Sequence, residues 1–179
     1  GSIQPVQKVR GLLNKKGSKA LIHVDGIQSF GKVPVNINGW GIDTFSFSGH
    51  KIYGPKGIGG LFINRDIKLN PLIFGGNQEK GLRSGTENVP GIIGLGKAAQ
   101  IMNKNFFKER DECEGIKSYF IDKLNEEIDY IRINSPLGDN HSPYILNVSF
   151  EYVRGEVLLH YLEDKGIYVS TGSACSSKG

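Results

Sequence analysis

Three short stretches of this sequence carry the side chains that could do chemistry. In Ser48-Gly49-His50-Lys51 a hydroxyl, an imidazole and a primary amine crowd around one glycine. Gly49 allows a sharp turn at a strand tip, where Ser48 and His50 can donate hydrogen bonds to an anion. An amine held on that turn and partly withdrawn from water is in the setting where lysines form Schiff bases with carbonyl groups. A solvated lysine in a surface hairpin would leave the same pattern. In His23-Val24-Asp25-Gly26-Ile27-Gln28 an acid and an amide follow an apolar run. Ligands of parallel α/β sheets bind outside the carboxyl ends of the strands, so Asp25 is placed to face a protonated ring nitrogen and keep that ring electron-poor. An Asp-Gly turn or a helix N-cap would use Asp25 equally well.

The third stretch is Ser170-Thr171-Gly172-Ser173-Ala174-Cys175-Ser176-Ser177, where no bulky neighbour covers the thiol of Cys175. An accessible cysteine is expected, although access alone does not make a thiolate from a group whose ordinary pKa is ~8.5. Cys113 sits among Asp111, Glu112 and Glu114 and is given no role. The histidines His23, His50, His141 and His160 show no metal-ligand spacing, and no metal is expected.

Composition narrows the class. A hydrophobic content of 38% over 179 residues allows a packed core, which argues against global disorder. The net charge of +4 is small and dispersed, so no direct contact with nucleic acid is implied. Two cysteines in unlike contexts make neither a disulfide scaffold nor a zinc site, and a reducing, cytoplasmic compartment is expected. No apolar run is long enough to span a bilayer, so no membrane partner is expected. Glycine is the outlier, with 25 residues gathered at particular turns.

The elements that must position the three stretches follow from periodicity. Residues 6–17 have helical spacing and close on Lys15-Lys16-Gly17. Residues 20–24 form an apolar strand ending at Asp25-Gly26, and residues 44–48 alternate between aromatic and small polar side chains, as a second strand does. A turn at Gly54-Pro55-Lys56-Gly57 leads to a third strand near 58–63. Residues 74–90 read as a long loop, of a length that is usually functional or mobile. Residue 89 to about 127 reads as helix, in one bent piece or two, with Ile92, Ile93, Leu95, Ala98, Ala99, Ile101 and Met102 on one broad face. Gly91, Gly94 and Gly96 are costly in its first turns unless another element packs closely there. Strands are expected at 131–133, 144–150 and 167–170, with a helix over 155–165 stopped by Gly166.

Together and in this order, these stretches resemble the cysteine desulfurases, fold-type I relatives within aminotransferase class V. His23 to Gln28 is similar to the family's ring-binding segment, and Ser48-Gly49-His50-Lys51-Ile52-Tyr53-Gly54-Pro55-Lys56-Gly57 to its cofactor-lysine motif. Gly75-Gly76-Asn77-Gln78-Glu79-Lys80-Gly81-Leu82-Arg83-Ser84-Gly85-Thr86-Glu87-Asn88 resembles the loop that follows, and the segment around Cys175 the persulfide loop. The resemblance implies an α/β fold: the second half of a large domain bound to pyridoxal 5′-phosphate, built on a mostly parallel sheet, over residues 1–105. A smaller, truncated α+β domain would follow over residues 106–179.

By the same resemblance Lys51 holds the cofactor as a Schiff base, Asp25 pairs with its ring nitrogen and Gln28 with its ring hydroxyl. Ser48 and His50 hold its phosphate, joined by Thr86 from the partner subunit of a homodimer. Lys51, His50 and Cys175 are the implied catalytic residues. The implied reaction takes sulfur from L-cysteine, leaving L-alanine and a persulfide on Cys175 for an iron–sulfur scaffold or a tRNA-thiolating acceptor. The family's other cofactor ligands lie upstream of residue 1, and its carboxylate-binding arginine lies downstream of residue 179, so low activity is expected of these residues alone. Two alternatives remain: another class V enzyme, either a selenocysteine lyase or a transaminase, and a non-catalytic fragment acting as an interaction module.

Overall fold

The computed structural model describes residues 1–138 and 140–172. They divide into two units, one of residues 3–112 and one of residues 1–2 with those from 113 onward.

The first unit opens with a single turn of 3-10 helix at Val6–Lys8 and continues as α1 (Val9–Lys15). Its sheet has three strands, β1 (His23–Asp25), β2 (Thr44–Ser48) and β3 (Gly59–Ile63), in the order β1-β2-β3. β1 and β2 are parallel, with Asp25 opposite Ser46. β2 and β3 are antiparallel, with Ser48 opposite Gly59. The expected mostly parallel sheet therefore contains, in this part, one parallel and one antiparallel pairing. Residues 49–58 are too short a connection for a parallel crossover, which takes about a dozen residues or more.

Asp43 holds the register. Its carboxylate accepts the Ile22 N–H at 2.7 Å and the Arg10 guanidinium at 2.5 Å. The N–H groups of Asp43 and Thr44 both return to the Ile22 carbonyl, at 3.0 and 3.1 Å, and the Asp43 carbonyl accepts from Asn64 at 2.8 Å just beyond β3. One buried acid thus ties α1, the entry to β1, the entry to β2 and the exit of β3. Beneath it lie the buried side chains of Ile22, Ile42, Phe45 and Ile52. Phe30 meets Phe45 edge-on at 6.4 Å and Phe47 at 4.6 Å, because alternate residues of β2 share a face.

A long helix, α2 (Val89–Glu127), follows the loop. The Asn88 side chain accepts the Gly91 N–H at 3.1 Å and caps its start. A Cβ at Gly94 would stand 2.5 Å from Pro55 Cγ, so the costly glycine admits the turn at Gly54-Pro55, which also lies against Ala98. The buried face is consequently narrower than expected, and Ile92, Ile93 and Ile101 are exposed. Gly94 and Ala98 make the close contact with this turn and Met102 packs against Gly31, while the three isoleucines remain exposed.

In the second unit β4 (Ile131–Ile133) and β5 (Val148–Phe150) pair antiparallel and α3 (Gly155–Glu163) follows. The C-terminal part of α2 buries Ile121 and Leu124. His141 Nε2 lies 2.8 Å from a Glu114 carboxylate oxygen, and Lys117 Nζ donates to the Ser142 carbonyl at 3.0 Å. Burial holds the Lys117 ammonium below its ordinary pKa, with Glu114 opposing that shift. The strand expected at 144–150 is confined to Val148–Phe150, and residues 167–170 form no strand. Ile167, Tyr168 and Val169 have β-prone side chains but are exposed, and no described strand offers them a ladder. Among the described residues no helix is long and apolar enough to cross a membrane.

Removing the Asp43 carboxylate is expected to be costly, because it leaves the Arg10 charge and the Ile22 N–H without their partner. Asp43→Ala should lower unfolding stability by ~3 kcal/mol in denaturant titration, the low end for a broken buried pair because Arg10 keeps some solvent contact.

Candidate active site

The carboxyl ends of β1 and β2 lie side by side, and the residues singled out by type are found there. β1 ends at Asp25, and β2 ends at Ser48, two residues beyond the position opposite Asp25. From Ser48 the chain enters a 3-10 turn, Gly49–Ile52, that carries His50 and Lys51. Ser48 Oγ and His50 Nδ1 are 2.8 Å apart, which occupies one imidazole nitrogen and leaves Nε2 without a partner among the described residues. His50 is exposed, Lys51 half-buried and Ile52 buried, so the turn is anchored by Ile52 with its polar residues at the rim.

The turn closes on a strained residue. Tyr53 adopts φ 62° and ψ 19° with its side chain exposed, and the following Gly54 N–H returns to the Gly49 carbonyl at 2.9 Å. A left-handed non-glycine residue beside the candidate amine is a local cost that surrounding packing must hold in place.

Asp25 is exposed and one carboxylate oxygen, Oδ1, accepts the Ile27 N–H at 3.0 Å. This is the turn geometry that its sequence also allowed, and it leaves Oδ2 without a partner among the described residues. The two uses of Asp25 are compatible: the turn engages one carboxylate oxygen and leaves the other without a partner among the described residues. Gly26 follows because nothing larger fits, since a Cβ there would stand 2.0 Å from Cζ of the buried Phe45 ring. Gln28 is exposed on the next turn.

Thr86 is placed elsewhere. It lines a groove of about 710 Å³ bounded by β3, residues 69–73, the 79–88 segment and Ile92, and none of Asp25, Ser48, His50 or Lys51 lines that groove. The 73–86 loop is closed by its own bonds: the Ser84 N–H donates to the Ile73 carbonyl, Ser84 Oγ to the Gly76 carbonyl and the Gly85 N–H to Gln78 Oε1. Cys175 lies outside the described residues. Among the described residues no group of three or more His, Cys, Asp or Glu side chains is arranged to hold a metal ion.

One charged group at this edge was not singled out by its sequence context. Lys32 is half-buried, and its ammonium is held below the ordinary lysine pKa first by that burial and then by the charge of Lys51. Lys32 follows a Gly-rich turn and carries no motif of its own, so only proximity in space marks it.

The chain matches the class-V aminotransferase family over residues 1–178. It is 43% identical over 177 residues to a cysteine desulfurase, IscS, of Dictyoglomus turgidum, covering 99% of this chain and 44% of that protein. Its structure is similar to that of a NifS-like protein with a TM-score of 0.89 at 41% identity, covering 96% of this chain and 46% of the other. It is also similar to SspA in complex with cysteine, with a TM-score of 0.72 at 34% identity, over 99% of this chain and 47% of that one. The chain thus spans about half the length of the relatives it matches.

The contact between Gly26 and the Phe45 ring yields a direct test. Gly26→Ala must displace the ring or the Asp25 turn, and should destabilise the fold by ~2 kcal/mol or more. Thermal unfolding would register this as a drop of several degrees, and an unchanged midpoint would show that the turn does not rest on the ring.

Proposed function

The chain belongs to the class-V aminotransferase family, and from that premise we propose that the protein carrying it is a cysteine desulfurase dependent on pyridoxal 5′-phosphate. The observation that supports the reading is that Asp25 ends one strand and Ser48 ends its parallel neighbour, with His50 and Lys51 in the turn that follows. Likeness to cysteine desulfurases and to a protein solved with cysteine supports the choice of substrate.

The side chains at the strand tips fit the cofactor by type. A phosphate needs donors, which Ser48 Oγ and His50 supply, while a protonated ring nitrogen needs a fixed anion, which the open oxygen of Asp25 supplies. An aldehyde needs an amine not committed elsewhere, and Lys51 has no hydrogen-bond or ion-pair partner among the described residues. Gln28 would meet the ring hydroxyl, and Thr86 would serve the phosphate of a second subunit across a homodimer. Residues 1–105 would belong to the cofactor domain and residues 106–179 to the smaller domain.

When bound, pyridoxal 5′-phosphate supplies an electron sink for charge that builds on the substrate α-carbon. The remaining work falls to the chain. Asp25 maintains the positive charge that makes the sink effective, and Ser48 with His50 fixes the orientation of the phosphate. Lys51 Nζ holds the cofactor and moves the proton at the substrate α-carbon. Cys175 receives the sulfur: an S–S bond forms as the substrate C–S bond breaks, and carbon keeps the electron pair and is protonated. L-cysteine and one thiol become L-alanine and one persulfide, with all atoms accounted for. The persulfide then passes to an iron–sulfur scaffold or a tRNA-thiolating acceptor, in a cytoplasm reducing enough to keep Cys175 a thiol.

In the full protein carrying these residues, L-cysteine should yield L-alanine and, with a reductant, sulfide. Lys51→Ala should lower alanine formation by ~10²-fold or more, the scale of a lost acid–base group. Cys175→Ser should make no alanine while borohydride still traps the cofactor on Lys51. Absence of both products from the unaltered protein would overturn the desulfurase reading, and activity confined to selenocysteine would move it to a lyase.

A further inference from the structure

We infer that His141, Glu114 and Lys117 form a proton-dependent clasp that fastens the loop between β4 and β5 to α2 while both nitrogens of the His141 ring carry a proton, and loosens when one is lost. All three residues lie in the second unit, and the inference is independent of the proposed reaction.

Both nitrogens of His141 meet groups that accept hydrogen bonds and cannot donate them. Nε2 lies 2.8 and 2.9 Å from the two carboxylate oxygens of Glu114, and Nδ1 lies against the Gly138 carbonyl. A neutral imidazole has one N–H donor and one bare nitrogen. It can satisfy one of these acceptors and must turn a lone pair toward the other. The doubly protonated ring satisfies both, and its charge faces a carboxylate. The His141 side chain is only 10% exposed, so water has little access with which to replace a lost bond.

Lys117 holds the loop one residue further along. It stands three positions after Glu114, on the same face of α2, and its buried ammonium donates to the Ser142 carbonyl at 3.0 Å. The Ser142 N–H donates to the Gly1 carbonyl at 2.7 Å. Successive residues of the loop are thus tied to α2 by two cations, with the Glu114 charge acting on both. Of the two, the imidazolium is the one that a change around neutral pH can discharge. Among the described contacts, Glu114 and Lys117 are the charged groups that α2 brings to this place. The Gly1–Ser2 segment, which bridges to His141 through Ser2, brings no charged side chain. Asp139 lies outside the described residues. Stability that depends on a bound proton is present on the acid side and lost as pH rises, so the loop should open more readily as pH climbs through the imidazole range.

The experiment follows hydrogen–deuterium exchange in peptides covering residues 140–150 of the full protein, with His141→Gln and His141→Arg compared with the unaltered protein at the same pH. Glutamine carries no charge at any pH, whereas arginine offers donors only and stays charged throughout. At about pH 6 His141→Gln should exchange about 10-fold faster than the unaltered protein, the scale of a hydrogen bond to a charged group. At about pH 8.5 the two should agree, because the unaltered ring has by then lost its second proton. His141→Arg should stay protected at both. A ratio between His141→Gln and the unaltered protein that is the same at both pH values would overturn the inference, as would His141→Arg behaving like His141→Gln. Should a substitution prevent folding, the imidazole nitrogen-15 shifts of the unaltered protein decide the question at about pH 7, where a free imidazole is mostly neutral. Two protonated nitrogens on His141 support the clasp, and one bare nitrogen overturns it.

Discussion

The parallel register of β1 against β2 is the constraint on which the candidate site depends. Side chains alternate across a sheet, so a slip of one residue would turn Asp25 to the opposite face and separate it from the end of β2. Pairing of three residues is too short to hold that register unaided. The Asp43 carboxylate does so by binding the Ile22 N–H ahead of β1 while pairing with Arg10 from α1. A charge buried this deeply is costly unless fully matched, so the same interaction that stabilises the correct register penalises others.

Above this lock the site is shaped by close approach. Phe45 fills the space beneath Gly26, and Pro55 fills the groove beside Gly94, leaving the two loops at the strand tips little room to shift. Tight packing of this kind holds a strained residue such as Tyr53 in place and keeps the Ser48 and His50 side chains paired. Rigid support beneath and polar groups at the rim are the arrangement a site needs when it must hold a cofactor and still admit a substrate.

In the proposed reaction the participating groups come from stretches far apart in the sequence. Asp25, Ser48, His50 and Lys51 come from adjoining strand ends, whereas Cys175 belongs to a distant stretch of small polar residues. Such a division suits a reaction in which sulfur leaves one place and is delivered to another. The local sequences differ accordingly: the buried residues Phe45 and Ile52 lie within a few positions of Ser48, His50 and Lys51, whereas only small residues flank Cys175 in the sequence.

What the sequence by itself determined lies within a few residues of chain. The turn at Asp25-Gly26, the glycine between Ser48 and His50, the long helix from Val89 and the stop at Gly166 are set by backbone freedom, side-chain size and periodicity, all local properties. The antiparallel pairing of β3, the exposure of three isoleucines on α2, the absence of a described strand at residues 167–170 and the burial of Lys32 were decided only in the tertiary structure. Each depends on which distant segment supplies a hydrogen-bond ladder, a packing surface or a charge. A pattern read along one strand shows that an edge needs a partner but not which partner comes. Likewise, a lysine in an ordinary turn shows no lowered basicity until folding buries it near another cation.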